Sequence, residues 1–286
     1  MTDIDVRPLD APLGAIVRGI TFDAPLDEEH RHLLLRALAR HHLLVLRGHD
    51  EPPPDGCYRD FGLRFGPLRP SVADLSRLPD HPEINLVSNT VEPDGVQGTG
   101  GTGVIDWHAD MNFDVPATDY IVLDALELPS QGGNTRFANL AAAYDALDDA
   151  TRELIELLEV RYTFRQDLEY AKLSDEHRRS LRGVVHPLVQ CRFPSRRRTL
   201  WPNVGIFDGE VLGYPDGSAL LEAMLAHATD ERFVYEHQWQ PGDLVLWSNW
   251  SVFHRREAFD PAERRVMRHL TVSEGGPALL VGDVAG

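Results

Sequence analysis

The stretch LVLWSNWSVFHRREAFDPAERRVMRHLTV, residues 244–272, carries the pattern that decides the fold class. The turn Pro241-Gly242-Asp243 leads into the apolar run LVLW, and His254 follows a further short apolar stretch. RRVMRHLTV at 264–272 then reads as a strand. Side chains alternate along a strand, so Arg265, Met267, His269 and Thr271 share one face. Val266, Arg268, Leu270 and Val272 take the other. Short strands punctuated by turns dominate this C-terminal third.

Working outward, HHLLVLRG at 41–48 and DYIVLDALEL at 119–128 read as buried strands, and 6–20 as short strands joined by Pro and Gly. Helices are expected from Leu26-Asp27-Glu28-Glu29 to Arg40, at the segment ending in DFGLRFG, over 141–159 and over 217–228. In the third of these, Leu147, Leu154, Leu157 and Leu158 are available for burial. Arg196-Arg197-Arg198 reads as a solvated hairpin tip. Many strands with segregated helices predict a mainly β barrel or jelly roll decorated by helices. One domain is expected over 1–286, with a helical and loop insertion near 140–200. The glycine-rich EPDGVQGTGGTG at 92–103 places a loop near 90–105 that is either an active-site lid or an ordinary connection.

Lys plus Arg number 28 against 45 Asp plus Glu, a formal net charge of −17. An acidic surface repels nucleic acid and anionic membranes, so neither is an expected partner. No apolar run approaches the about 18 residues of a membrane span. The N-terminus lacks the basic-then-apolar order of a signal peptide, and Cys57 and Cys191 form no CxxC. A cytoplasmic protein with two free thiols is the expectation.

In DWHADMNF (106–113), His108 and Asp110 would point to the same side of a strand, a geometry suited to gripping one metal ion. The pair alone fits a polar strand equally well. His254 supplies a third ligand, and two histidines with one carboxylate match the facial triad of non-haem Fe(II) oxygenases. His186, in VVHPLVQ, is the competing candidate, read as a core or supporting histidine. Arg265 is placed to capture a carboxylate beside the metal.

The spaced motifs WHADMNF, LELPSQGGNTRFANLAAAYDAL, HPLV and WQPGDLVLWSNWSVFHRREAFDPAERRVMRHLTV resemble the taurine dioxygenase and phenoxyacetate dioxygenase family. The resemblance runs from PLGAIVRGI to the final strand. It implies a double-stranded β-helix, a cupin-like jelly roll, and an oxygenase using Fe(II), 2-oxoglutarate and O2. His108, Asp110 and His254 would hold the metal. Arg265 matches the arginine that binds the distal carboxylate of 2-oxoglutarate, and Thr135, in GGNT, the threonine that assists it. The cosubstrate would chelate iron through its keto and C1-carboxylate oxygens and leave as succinate and CO2. The family also forms dimers and larger homo-oligomers.

Departures from the family pattern bear on the primary substrate. The second arginine that contacts sulfonate in taurine dioxygenases is replaced by His269, and Arg268 is expected to face away. FGPLRPSVADL lacks the histidine expected after FG, and Val104 stands where an asparagine is expected. Taurine is therefore not the expected substrate. Val104, Met111, Phe113 and Ile206 would line a more apolar pocket, with His269 on the substrate side. Asp-Asn-Arg before the third ligand is Ser248-Asn249-Trp250 here, and Trp250 would narrow the pocket if it shares the face of His254.

The expected activity is hydroxylation, desaturation or epoxidation of a small organic molecule, in secondary metabolism such as antibiotic biosynthesis. The alternatives are a jelly-roll metal-dependent hydrolase or isomerase, and a non-catalytic 2-oxoglutarate sensor.

Overall fold

In the computed structural model, which describes residues 4–22, 25–49, 51–71, 73–110, 118–165, 183–192 and 194–273, strand Tyr120–Glu127 lies inside a nine-stranded sheet. It is flanked by Leu244–Ser248 and Val266–Val272, both antiparallel to it. Both faces of these strands are apolar because both are covered. Tyr120, Val122, Leu244, Leu246, Leu270 and Val272 pack against Leu34, Leu35, Leu38, Tyr58 and Phe61 of two helices. The alternate residues Ile121, Leu123, Val245, Trp247 and Met267 pack against Phe137 and Val252. Those last two belong to a four-stranded sheet in the order Val234–His237, Thr135–Asn139, Val252–Arg256 and Ile105–His108. Two sheets face to face over this core make the jelly roll that the strand pattern implied.

Local chemistry sets the helix ends. Helix Glu28–His41 starts at Asp27, whose side chain accepts from the His30 N–H at 2.8 Å, and stops at His42 in a left-handed conformation. Helices Asp55–Leu63 and Gly217–Ala228 also fall where expected.

The single helix expected over 141–159 is a correction. The chain forms Leu140–Asp145 and Asp149–Ile155, then turns into strand Glu159–Phe164. Asp148 starts a new helix by accepting from the Thr151 N–H at 2.8 Å, so the apolar periodicity does not run through one axis. Leu147 is buried and Leu158 partly so, but Leu154 is 44% exposed and Leu157 86%. The basic tip is exposed as expected: Arg196, Arg197 and Arg198 lie at the surface where strands Val189–Cys191 and Arg198–Leu200 pair, with Arg197 meeting Asp145 and Arg198 meeting Glu156 there. Part of the expected insertion, 166–182 and 193, lies outside the described residues.

Candidate active site

His108 ends strand Ile105–His108, and Asp110 follows just past it. His254 stands directly across from His108 in the neighbouring strand, their rings 4.0 Å apart. One ligand atom from each of His108, Asp110 and His254 falls within 4.8 Å of the others. Strand pairing thus closes a gap of well over a hundred residues in the chain.

The turn carrying Asp110 is held by two buried asparagines. Asn249 accepts from the Asp110 N–H and donates to the Asp110 carbonyl, each at 2.9 Å. Asn203 makes the same pair with Ala109, also at 2.9 Å. Gly205 lets this loop approach the strand, because a Cβ there would meet the Trp107 carbonyl oxygen at 2.0 Å.

Hydrogen bonding prepares the donors. His108 Nδ1 lies 2.7 Å from the Asp106 carbonyl, which only accepts, so Nδ1 carries the proton and Nε2 presents a lone pair. That Nε2 is 3.5 Å from Asp110 Oδ1, and His254 Nε2 is 3.9 Å from Asp110 Oδ2. Burial, reinforced by the neighbouring His108, pushes the His254 pKa down to about 3, leaving a neutral imidazole. Burial would raise the Asp110 pKa, but the surrounding imidazoles of His254, His108 and His269 outweigh it and hold the carboxyl well below its ordinary range. Two imidazoles and a carboxylate converging at this spacing are a donor set that fits a divalent cation.

A cavity opens beside these groups. Arg265 and Thr135, both 2% exposed, line it together with the triad. Arg265 donates through Nε to the Gly133 carbonyl at 3.1 Å, and among the described residues no carboxylate pairs with it. Burial and the nearby Arg256 lower its pKa to about 9. Gly133, at φ +65°, is required here, since a Cβ would sit 3.0 Å from Arg265 Cδ. A buried guanidinium without a counter-ion is costly, and an anion drawn into the cavity relieves the cost.

His269, in strand Val266–Val272, lines the same cavity as Arg265, which lies just before that strand. Its Nε2 lies 3.1 Å from Asp110 Oδ2 and its Nδ1 3.1 Å from Asn85 Oδ1. Ile206 lines the cavity, joined by Val87, Ile105, Leu123, Phe164 and Phe207. Arg256 also lines it and donates to the carbonyls of Gly100, Gly101 and Gly103 in the glycine-rich loop.

Three expectations fail or fall elsewhere. Trp250 does not face the cavity. It sits in the turn before strand Val252–Arg256, so strand alternation does not govern it. Its indole donates to Asp119 at 2.8 Å and stacks among Trp201, His186 and Arg192. Val104 is 45% exposed on the loop, and the next residue, Ile105, forms the wall instead. Met111 and Phe113 lie outside the described residues. Two other expectations hold: His186 is a packed core residue. Arg268 faces away, into a buried ion pair with Asp124 and a second pair with the partly exposed Asp55.

Asn203, Asn249, Asn85, Arg256 and the aromatic wall Phe164–Phe207 were missed in the sequence. An asparagine within two residues of a tryptophan, as in WPNVG and WSNW, is the one available signal, because such a site buries polar groups only when they are bonded.

The comparisons agree with this geometry. The model of the family described as "Taurine catabolism dioxygenase TauD, TfdA family" matches residues 5–271. Pentalenolactone F synthase of Streptomyces arenae is 34% identical over 291 residues, covering 96% of this chain and 97% of that protein. The alpha-ketoglutarate-dependent 2,4-dichlorophenoxyacetate dioxygenase of Cupriavidus pinatubonensis is 32% identical over 282 residues, covering 93% and 96%. The crystal structure of AAD-2 in complex with Mn(II) and N-oxalylglycine superposes with a TM-score of 0.81 at 29% identity, covering 97% of this chain and 99% of that one. The hydrolase, isomerase and sensor alternatives find no support among these relatives. The chain belongs to the TauD/TfdA family and is an oxidoreductase, a dioxygenase dependent on Fe(II), 2-oxoglutarate and O2.

Proposed function

We propose that His108, Asp110 and His254 hold the Fe(II), that Arg265 and Thr135 receive the distal carboxylate of 2-oxoglutarate, and that the enzyme oxidises a small, largely apolar organic molecule of secondary metabolism. The observation that carries this reading is the buried Arg265 guanidinium, without a carboxylate partner among the described residues, lining the same cavity as the triad. When bound, iron with 2-oxoglutarate and O2 supplies the oxidising power that removes hydrogen from an unactivated C–H bond.

This chain's own residues do the positioning. Asn249 fixes the Asp110 backbone, and His269 lies against Asp110 Oδ2 at 3.1 Å. Val87, Ile105, Leu123, Ile206, Phe164 and Phe207 exclude water and orient the substrate, with His269 as the polar contact beside them. Arg256 holds the glycine-rich loop over the cavity as a wall. Two of the relatives are pentalenolactone F synthases, at 34% and 30% identity, which supports a lactone-type cyclic molecule as substrate and secondary metabolism as setting. The net charge of −17 supports a partner that is neither nucleic acid nor membrane, and no helix among the described residues is long and apolar enough to cross one. A cytoplasmic enzyme working on a diffusible molecule fits these features.

Succinate release tests the reading. The enzyme with Fe(II), 2-oxoglutarate and air is incubated with panels of terpenoid lactones, aryloxyalkanoates and taurine. Stimulation by apolar cyclic compounds is expected; stimulation by taurine alone would refute the apolar assignment.

A further inference from the structure

Thr135 lies in the middle of the four-stranded sheet, paired with His237 on one side and Arg256 on the other. Its hydroxyl receives one hydrogen bond, from Trp239 Nε1 at 3.0 Å. An indole N–H can only donate, so Thr135 Oγ1 must accept, and the hydroxyl proton is turned away from Trp239. Among the described residues no acceptor takes that proton, while Thr135 itself lines the cavity and Trp239 does not.

The indole is held from behind. The His237 ring meets it edge-on at 4.6 Å, His237 Nε2 lies 3.1 Å from Asp243, and Asp243 takes a two-pronged grip from Arg47 with both contacts at 2.7 Å. His237 and Asp243 are fully buried, so a packed and bonded set of groups backs the indole ring.

We infer that Trp239 is a positioning residue that sets the Thr135 hydroxyl as a donor into the cavity, aimed at the distal carboxylate of the cosubstrate. The inference rests on the proposed role of Thr135 and extends it. A threonine hydroxyl free to rotate can donate elsewhere or present its lone pairs to the anion, which repels it. The indole removes those alternatives before the ligand arrives, so less ordering is needed on binding.

Calorimetric titration of the Mn(II)-loaded protein with N-oxalylglycine tests this without turnover, alongside pyruvate, which has the chelating head and no distal carboxylate. Thr135→Val is expected to weaken N-oxalylglycine about 10-fold or more, as loss of a hydrogen bond to a charged group does, and Thr135→Ser to restore it. Trp239→Phe keeps an aromatic ring without the N–H and is expected to weaken it about 3- to 10-fold. In the Thr135→Val background the same change is expected to have no further effect, and pyruvate affinity is expected to stay constant in every variant. Thermal unfolding midpoints establish that the variants fold.

Trp239→Phe without effect, with an equal effect in the Thr135→Val background, or with an equal loss for pyruvate, would overturn the inference and leave the Thr135 assignment standing. Thr135→Val without effect would overturn both. Wild-type protein that does not bind N-oxalylglycine at all would overturn the cosubstrate site itself.

Discussion

Asn249 and Asp110 clasp each other through two antiparallel hydrogen bonds of 2.9 Å, and the same Asn249 amide donates to the Thr118 carbonyl at 3.0 Å. The asparagine belongs to the turn before His254, so one buried side chain couples the two halves of the candidate metal site. Asn249→Ala leaves an N–H and two carbonyls short of partners. The expected outcome is a loss of about 1–3 kcal/mol in stability and about 10- to 100-fold in metal affinity. Mn(II) binding followed by electron paramagnetic resonance checks it, and unchanged affinity would reduce Asn249 to a packing role.

Arg265 sets function against stability. Its buried charge has no carboxylate partner among the described residues, so Arg265→Met is expected to leave the unliganded protein as stable as wild type or raise its unfolding midpoint by about 2–4 °C. The same variant is expected to raise the KM for 2-oxoglutarate about 100-fold, because the cosubstrate carboxylate loses its buried partner. Differential scanning fluorimetry with and without N-oxalylglycine shows both effects. An unchanged KM would remove Arg265 from the cosubstrate site.

His269 faces Asp110 on one side and the cavity on the other. If it serves the primary substrate, His269→Ala is expected to keep uncoupled 2-oxoglutarate decay within about 3-fold of wild type while lowering product per succinate about 10-fold. Parallel loss of decay and product would show that the contact with Asp110 dominates.

The buried His42 makes stability fall in acid. Burial, then Arg197 and His41, lowers its pKa from 6.5 to about 4. The unfolded chain binds the proton more readily than the folded one, so stability is complete above pH 6.5 and declines as pH falls towards 4. The component is on the order of 3 kcal/mol. Asparagine tolerates the left-handed backbone at this position, φ 66°. Urea unfolding of His42→Asn against wild type at pH 7 and pH 4.5 is expected to show a smaller acid loss in the variant. Equal losses would place the acid sensitivity elsewhere.

The strand period was legible because it is local. Alternation in 264–272 predicted Arg265 and His269 together and Arg268 turned away, and all three lie so, although Arg265 comes just before the strand that starts at Val266. The same rule misplaced Trp250, because the strand begins only at Val252 and a turn obeys no alternation. The 141–159 periodicity failed for a related reason. Asp148 offers a cap inside an apolar pattern, and only the packing of the following strand decides whether the chain uses it.

Residue types and spacing by themselves pointed to the candidate donor set His108, Asp110 and His254, to Arg265 as a carboxylate partner and to a sheet-rich fold, since each follows from side-chain chemistry and a short-range period; Thr135 entered only through the family resemblance. Tertiary structure alone decided what holds these groups in place: the clasps of Asn249 and Asn203, the Arg256 tether on the glycine-rich loop, the apolar wall from Phe164 to Phe207, and the indole behind Thr135. These contacts join segments far apart in the chain. Their partners are selected by sheet register and burial, which no single segment of sequence encodes.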